Sequence, residues 1–106
     1  MRTYSPQKTN ELLSVSTPPG LQLLDVREPW EYDIVHIEGS VLIPLGKLLQ
    51  QMEKLDKNIP VAVLCHHGIR SAQACYYLEK SGFDTINISG GIDLWARELN
   101  PSMPLY

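Results

Sequence analysis

The chain has 106 residues, of which 43% are hydrophobic and 20% are charged, and it carries a formal net charge of -3 at pH 7. These values predict one compact domain over residues 1–106 with a single hydrophobic core. Lysine and arginine form no run, so the sequence lacks the electrostatic signature of a nucleic-acid or anionic-membrane partner. The polar N-terminus predicts neither a signal peptide nor a membrane helix, and we therefore expect a cytoplasmic location.

Apolar spacing, prolines and glycines divide the chain into alternating helices and strands. In chain order, the sequence predicts a helix over 7–14 capped by Ser5, a turn over 16–20, a strand over 21–26, a helical turn over 30–36, a strand over 40–45, a helix over 48–55, a strand over 61–64, a helix over 71–81 and a strand over 85–89. Gly90 and Gly91 then introduce a last helix that runs through Leu94, Trp95 and Leu99. This alternation predicts an α/β fold with a mostly parallel sheet covered by helices on both faces.

The most informative segment runs from Val61 to Ser71 and reads as a buried strand, a cysteine, a short loop and the start of a helix. Ligands of open α/β sheets bind beyond the carboxyl ends of the strands, and Cys65 stands at such an end. The amides of a helix N-terminus, together with Arg70 and the loop histidines, would stabilise a thiolate there. The segment therefore predicts a loop that binds a small anion around a nucleophilic thiol. A buried structural cysteine is the alternative interpretation of Cys65.

The predicted site consists of Cys65 as the nucleophile and a binding loop of His66, His67, Gly68, Ile69, Arg70 and Ser71. Arg70 is the best side-chain contact for an anion, because a planar guanidinium grips two oxygens at once. Its alternative role is an arginine that faces solvent or is tied to a nearby carboxylate. Gly68 permits a turn that a Cβ would obstruct, or it is a plain loop glycine. Ser71 is expected to cap the following helix.

The two histidines and the second cysteine suggest no further chemistry. His66 and His67 are adjacent, lack the spacing of helical metal ligands and form a poor zinc set with one cysteine. We expect no metal and no cofactor, and we assign the histidines to tuning the charge of the loop. Cys75 lies four positions after Ser71 and is expected to be a small buried core residue rather than a resolving thiol. Two cysteines ten positions apart are not typical of a disulfide scaffold, and a reducing compartment suits a working thiol.

Two residues near the end of the strand over 21–26 are candidates for supporting roles. Asp25 would lie close to the loop in a parallel sheet and accept hydrogen bonds from it. Arg27 would form an ion pair with Glu28 or Glu31 at the rim of the site. For both residues we predict structural support rather than direct chemistry.

Three separated motifs resemble those of the single-domain rhodaneses, which are sulfurtransferases. The motifs are Leu24–Glu28 with Glu31–Tyr32 and His36–Gly39, the loop Cys65–Ser71, and Gly90–Trp95 followed by Pro104. The resemblance spans nearly the whole chain, and it implies a three-layer α/β sandwich around a five-stranded parallel sheet in which Cys65 carries a persulfide. The chain departs from the family pattern at Val35, where glycine is usual, and at Ser40, where alanine is common.

The function implied by the resemblance is the transfer of sulfane sulfur from thiosulfate or a related small anionic donor to a thiol or cyanide acceptor. Fixed donors in the loop would hold the sulfonate oxygens and the anion that forms on Cys65. A cysteine phosphatase or arsenate reductase is one alternative, although such loops place five residues between cysteine and arginine and here four separate Cys65 from Arg70. A persulfide carrier that acts with a protein partner is another. The sequence predicts no oligomeric state.

Overall fold

The computed structural model describes residues 1–14 and 20–106, and in these residues the chain forms one parallel sheet of five strands. The strands are β1 (Arg2–Tyr4), β2 (Gln22–Asp25), β3 (Val41–Leu42), β4 (Val61–Leu64) and β5 (Thr85–Ile88). Their order is β1-β5-β4-β2-β3, and every neighbouring pair is parallel. The most buried strand, β4, therefore lies at the centre of the sheet.

Helices cover both faces of the sheet, which confirms the predicted three-layer α/β architecture. They are α1 (Pro6–Leu13), α2 (Pro29–Ile34), α3 (Leu48–Gln51), α4 (Ile69–Lys80) and α5 (Gly91–Leu99), and 3-10 turns at Leu45–Lys47 and Met52–Lys54 flank α3. One core cluster joins the sheet to α3 and α4, and a second joins it to α1 and α5. None of the described helices is long and apolar enough to cross a bilayer.

The strand β4 shows why both clusters exist. Val61 and Val63 contribute to the cluster under α4, whereas Ala62 and Leu64 contribute to the cluster under α5. All four side chains are fully buried. A parallel strand that is covered on both faces needs apolar residues at every position, and the run of four apolar residues predicted this strand to the residue.

The edges of the sheet differ from the predicted elements. The strand β1 was missed because Arg2 and Thr3 are exposed and polar, and the strand exists through its pairing with β5 rather than through an apolar pattern. The strand predicted over 40–45 shrinks to β3 because the chain turns at Pro44 into a 3-10 helix. The helix predicted over 48–55 is one α-helical turn between two 3-10 turns. The turn predicted over 16–20 lies outside the described residues except for Gly20.

The topology places a switch point at the carboxyl ends of β2 and β4. These two strands are neighbours, but the chain continues from β2 towards β3 on one side and from β4 towards β5 on the other. Such a switch point separates the loops that follow the two strands and leaves room for a ligand between them. Cys65 is the first residue after β4, and Arg27 follows β2 by two positions.

The start of α5 fixes the backbone of the loop that follows β4. The amide of Ile92 donates to the carbonyl of Cys65 at 2.8 Å, and the amide of Asp93 donates to the carbonyl of His66 at 3.2 Å. Gly91 makes this approach possible: its φ is +62°, and a Cβ there would lie 2.5 Å from the Cys65 carbonyl oxygen and in contact with that of His66. The glycine is needed because the two backbone segments touch.

We expect Gly91→Ala to lower the free energy of unfolding by about 1–3 kcal/mol through overpacking, in addition to the strain of its positive φ. Gly82→Ala is the matched control, because Gly82 has a φ of +95° but nothing within 4 Å of its Cβ position. Urea denaturation of both variants measures the difference. Equal losses would show that the close approach of α5 to the loop does not constrain residue 91.

Candidate active site

The thiol of Cys65 lies at the carboxyl end of β4 and is held by short polar contacts. The residue is 1% exposed, and its Sγ accepts a hydrogen bond from the amide of Gly68 at 3.0 Å. The thiol donates to the Ser71 hydroxyl oxygen at 3.3 Å. A sulfur atom that accepts from a backbone amide is well placed to carry negative charge.

The loop turns sharply because Gly68 adopts a φ of +104° and caps α4, which begins at Ile69. The amides of His66 and His67 donate to no acceptor among the described residues. The first amides of a helix also lack intrahelical partners and carry a partial positive charge. The backbone from His66 to Ser71 therefore provides donors for an anion beside Sγ.

The structure corrects the capping role predicted for Ser71. The helix starts two residues earlier than predicted, because the left-handed glycine ends the loop at position 68, and Ser71 lies inside the first turn. Its hydroxyl donates instead to Oδ1 of Asn87 at 2.5 Å. Ser71 thus connects the thiol to a side chain on β5.

Asn87 is a site residue that the sequence analysis missed. Besides accepting from Ser71, its side-chain amide donates to the carbonyl of Gly68 at 3.3 Å. It is 8% exposed on β5, where the remaining buried residues include Ile86 and Ile88. A polar amide inside a buried strand was the available signal, since such a group requires specific partners.

The guanidinium of Arg70 is held by Glu31 through two hydrogen bonds. The distances from its terminal nitrogens to the two carboxylate oxygens are 2.6 and 2.8 Å. The Arg70 side chain is 34% exposed and that of Glu31 only 4%. The hydrogen bond from Arg70 is the main reason that the pKa of Glu31 falls to about 2, and Glu31 in turn raises the pKa of Arg70. Arg70 therefore adopts the alternative arrangement, tied to a carboxylate, while a third of its side chain faces solvent.

Arg27 forms its ion pair with Asp25 and not with Glu28 or Glu31, so the predicted partner was wrong. Both side chains are fully buried, and Arg27 donates to the Asp25 carboxylate at 2.7 to 3.1 Å. Among the described residues this carboxylate accepts from Arg27 and not from the loop as predicted. The turn after β2 brings the two residues together, and the Asp25 carboxylate compensates the buried charge of Arg27.

Tyr106 joins the two ion pairs and was also missed. Its hydroxyl accepts from Arg27 at 2.9 Å and donates to Glu31 at 2.8 Å. Its ring stacks on His66 with a centroid distance of 4.0 Å and meets the edge of Trp30 at 6.1 Å. Burial is the largest cause that raises the pKa of Tyr106 to about 12, so the hydroxyl stays protonated at neutral pH.

The two loop histidines stack on each other above this tyrosine. Their centroids are 3.9 Å apart and their planes differ by 27°. Burial first and the neighbouring His67 second lower the pKa of His66, which favours a neutral ring. Asp93 offers a carboxylate within 4.8 Å of ring nitrogens of both histidines, but it pairs with Arg97 at 3.0 Å. A zinc site takes three or four protein ligands, and the Asp93 carboxylate is already paired, so we assign no metal to this cluster.

The remaining predicted residues lie where their chemistry is limited. Ile69 is 75% exposed at the first position of α4 and contributes its backbone rather than its side chain. Cys75 is fully buried in the core cluster under α4, and burial raises the pKa of its thiol to about 11. Val35 has a φ of -162°, an extended conformation that any residue adopts, so the departure from the family glycine is accommodated. Its carbonyl accepts from Arg27 at 2.7 Å.

Fold and site together define a three-layer α/β protein in which one buried cysteine follows the central parallel strand and faces a turn of backbone amides. The chain belongs to the rhodanese-like family: the rhodanese-like domain matches residues 7–98. This match confirms the resemblance seen in the sequence motifs.

Relatives of the chain are named for sulfur chemistry. It is 40% identical over 89 residues to the probable adenylyltransferase/sulfurtransferase MoeZ of Mycobacterium tuberculosis. The matched region covers 81% of this chain and 23% of MoeZ. It is also 40% identical to the putative sulfurtransferase YtwF of Bacillus subtilis over 81 residues, and this match covers 76% of this chain and 79% of YtwF. The putative sulfur carrier protein YrkF of the same organism is 39% identical over 82 residues, which covers 76% of this chain and 44% of YrkF. The chain thus spans about a quarter of MoeZ but most of YtwF.

A solved structure supports the same architecture. The rhodanese-like domain protein from Staphylococcus aureus superimposes with a TM-score of 0.85 over 100% of this chain and 99% of that chain, at 28% sequence identity. The whole described fold is therefore that of a rhodanese-like domain.

We expect Asp25→Asn to destabilise the protein by about 3–5 kcal/mol, because it leaves the charge of Arg27 buried and without a matching carboxylate. Asp84→Asn is the control: Asp84 pairs with Arg2 at 2.8 Å, but both side chains are largely exposed. Exposed pairs contribute little, so the control should change stability only slightly. Chemical denaturation at pH 7 measures the free energy of unfolding of both variants. Similar decreases would contradict the larger contribution expected of the buried pair.

The Glu31–Arg70 pair predicts a specific loss of stability in acid. The pKa of Glu31 falls from 4.5 to about 2 in the folded protein, so its contribution is complete above pH 5 and is lost as the pH falls towards 2. The loss amounts to about 3 kcal/mol. Unfolding free energies measured between pH 7 and pH 2 should therefore fall less steeply for Glu31→Gln than for the unmodified protein. Parallel curves would show that Glu31 is not held as a carboxylate by Arg70.

Proposed function

We propose that the protein is a sulfurtransferase in which Cys65 carries sulfane sulfur as a persulfide from a small donor such as thiosulfate to a thiol or cyanide acceptor. The observation that carries the proposal is the position of the Cys65 sulfur, which follows the central strand and accepts from the Gly68 amide at 3.0 Å. Membership of the rhodanese-like family and relatives named sulfurtransferase or sulfur carrier support the same chemistry. A reducing cytoplasmic compartment would keep the thiol free.

In the first half-reaction the Cys65 thiolate attacks the outer sulfur of thiosulfate. A bond forms between Sγ and that sulfur, the sulfur–sulfur bond of thiosulfate breaks, and sulfite leaves with the electron pair. The persulfide keeps one negative charge on its terminal sulfur. The amides of His66 and His67, which have no acceptor among residues 1–14 and 20–106, and those of the first turn of α4 are the groups that would hold this charge, because they are fixed in place before the reaction begins.

In the second half-reaction the acceptor attacks the terminal sulfur of the persulfide. The sulfur–sulfur bond of the persulfide breaks, and its electron pair restores the Cys65 thiolate. A cyanide acceptor is released as thiocyanate, and a thiolate acceptor is released as a new persulfide. Ser71 suits both states of the cysteine, because a hydroxyl accepts from a neutral thiol and, by turning its proton, donates to a thiolate. Its contacts with Cys65 at 3.3 Å and with Asn87 at 2.5 Å support this role.

Arg70 is the side chain that would contact the oxygens of the donor. Glu31 occupies one N–H direction on each terminal nitrogen, and a guanidinium carries five N–H groups, so donors remain on the exposed side. The charge of Arg70 is nevertheless matched by Glu31, and that of Arg27 by Asp25. The backbone amides would therefore supply most of the attraction for an anionic donor, with Arg70 setting its orientation.

Two alternatives differ from this proposal in distinct ways. A phosphatase or arsenate reductase is disfavoured, because four residues separate Cys65 from Arg70 and because Arg70 already binds a carboxylate. A persulfide carrier that delivers sulfur to a protein partner uses the same loaded cysteine and differs only in the acceptor. The relative named as a putative sulfur carrier favours keeping this second candidate.

We expect thiosulfate to increase the intact mass of the protein by one sulfur atom, and cyanide to remove it with release of thiocyanate. Cys65→Ser should take up no sulfur and show no turnover, because a hydroxyl is a far weaker nucleophile than a thiol at neutral pH. Cys75→Ala is the matched control and should load normally, since Cys75 lies in α4 away from the loop and burial raises the pKa of its thiol to about 11. Mass spectrometry and thiocyanate release measure both steps.

Three results would contradict the assignment. Sulfur uptake by a folded Cys65→Ser variant would place the nucleophile elsewhere. Hydrolysis of p-nitrophenyl phosphate faster than sulfur transfer would favour the phosphatase alternative. Loading by thiosulfate with slow release to every small acceptor would favour the carrier.

A further inference from the structure

We propose that Tyr106 is a positioning residue of the site: its hydroxyl, held between Arg27 and Glu31, sets the Glu31 carboxylate and through it the guanidinium of Arg70. The residue touches no reacting atom and acts through its neighbours. The inference rests on the proposed sulfur transfer for its kinetic test, because Arg70 is the proposed contact for the donor.

The hydrogen bonds around Tyr106 form one continuous chain. Arg27 donates to the Tyr106 oxygen at 2.9 Å, and Tyr106 donates to Oε2 of Glu31 at 2.8 Å. The same Oε2 accepts from Arg70 at 2.8 Å, and the second oxygen of Glu31 accepts from Arg70 at 2.6 Å. The Glu31 oxygen that accepts the tyrosine hydrogen bond is therefore also one of the two oxygens that bind Arg70.

The inner end of this chain is rigid. Arg27 is fully buried, binds the Asp25 carboxylate and also donates to the Val35 carbonyl, so its nitrogens cannot move independently. Arg70 at the outer end has a side chain that is 34% exposed. Tyr106 is thus the connection through which a fixed buried cation orients a partly exposed one, and hydrogen bonds of this kind lock the rotamers of residues in a site.

The hydroxyl also changes how strongly Glu31 competes with an anionic sulfur donor for the guanidinium of Arg70. The hydrogen bond from the hydroxyl to Oε2 offsets part of the carboxylate charge. The hydrogen bond that Arg27 donates to the Tyr106 oxygen polarises the hydroxyl and strengthens this effect. Without the hydroxyl, Arg70 is the remaining side-chain donor to Glu31, and its charge is matched more completely. Loss of orientation and loss of free charge both weaken the contact of Arg70 with an anion.

The ring of Tyr106 contributes separately from its hydroxyl. It stacks on His66 at 4.0 Å with planes 6° apart and so packs against the loop that holds Cys65. Tyr106→Phe keeps this stacking and removes the hydrogen bonds alone. Tyr77→Phe is the matched control, because Tyr77 lies on α4, is 42% exposed and is outside the site.

The first experiment compares the donor and acceptor half-reactions. Tyr106→Phe should raise the KM for thiosulfate roughly three- to tenfold, the effect of one lost hydrogen bond, with a smaller change in kcat. The rate at which dithiothreitol, an uncharged thiol, discharges the preloaded persulfide should change less. In an Arg70→Ala background, Tyr106→Phe should have almost no further effect on the KM, because the residue through which it acts is gone.

A second measurement does not depend on activity. Carbon-13 NMR titration of the Glu31 carboxyl should show a higher pKa in Tyr106→Phe than in the unmodified protein or in Tyr77→Phe, because the tyrosine hydrogen bond stabilises the carboxylate. An unchanged Glu31 pKa would overturn the proposed connection. An unchanged KM, equal losses in both half-reactions, or the same fold-change with and without Arg70 would overturn the positioning role. Failure of the unmodified protein to take up sulfur would refute the proposed function, and the titration would still decide the connection.

Discussion

Arg27 brings a full positive charge into the interior with no exposed side-chain surface, and the order of the site depends on how that charge is satisfied. Asp25 supplies the matching carboxylate from the end of β2. The other donors of the guanidinium bind the carbonyls of Val35 and Glu31 and the hydroxyl of Tyr106. A buried arginine tolerates few unmatched donors, so one residue fixes the exit of α2 and the segment after α5 at the same time.

This arrangement leaves the site with little unmatched side-chain charge. Arg27 and Arg70 are each held by a carboxylate, and the pKa of His66 is lowered by burial. Backbone amides at the start of α4 are then the main donors for an anion beside Cys65. Such donors are rigid, and they bind by position as much as by charge, which suits the proposed persulfide, since that group would have to be both held and released.

The sequence predicted the parts of the fold and site that depend on local pattern. Four apolar residues, a cysteine and a glycine-containing loop before a helix are enough to place Cys65 at the end of a buried strand. Edge strand β1 has no such pattern, because Arg2 and Thr3 are exposed and polar, and the strand depends on its pairing with β5. The start of α4 was placed at Ser71 because serine is a common cap, whereas the conformation of Gly68 let the helix begin earlier.

The sequence by itself determined the central strand and the cysteine that follows it, because these depend on residues that are close together along the chain, and its motifs determined the family. Only the tertiary structure decided which side chains of the site form hydrogen bonds with one another. Arg70 and Glu31 are 39 positions apart, Ser71 and Asn87 are 16 apart, and Tyr106 and Arg27 are 79 apart. A charged side chain has several complementary residues within the sequence, and the packing of helices on the sheet selects the one that lies within hydrogen-bond distance.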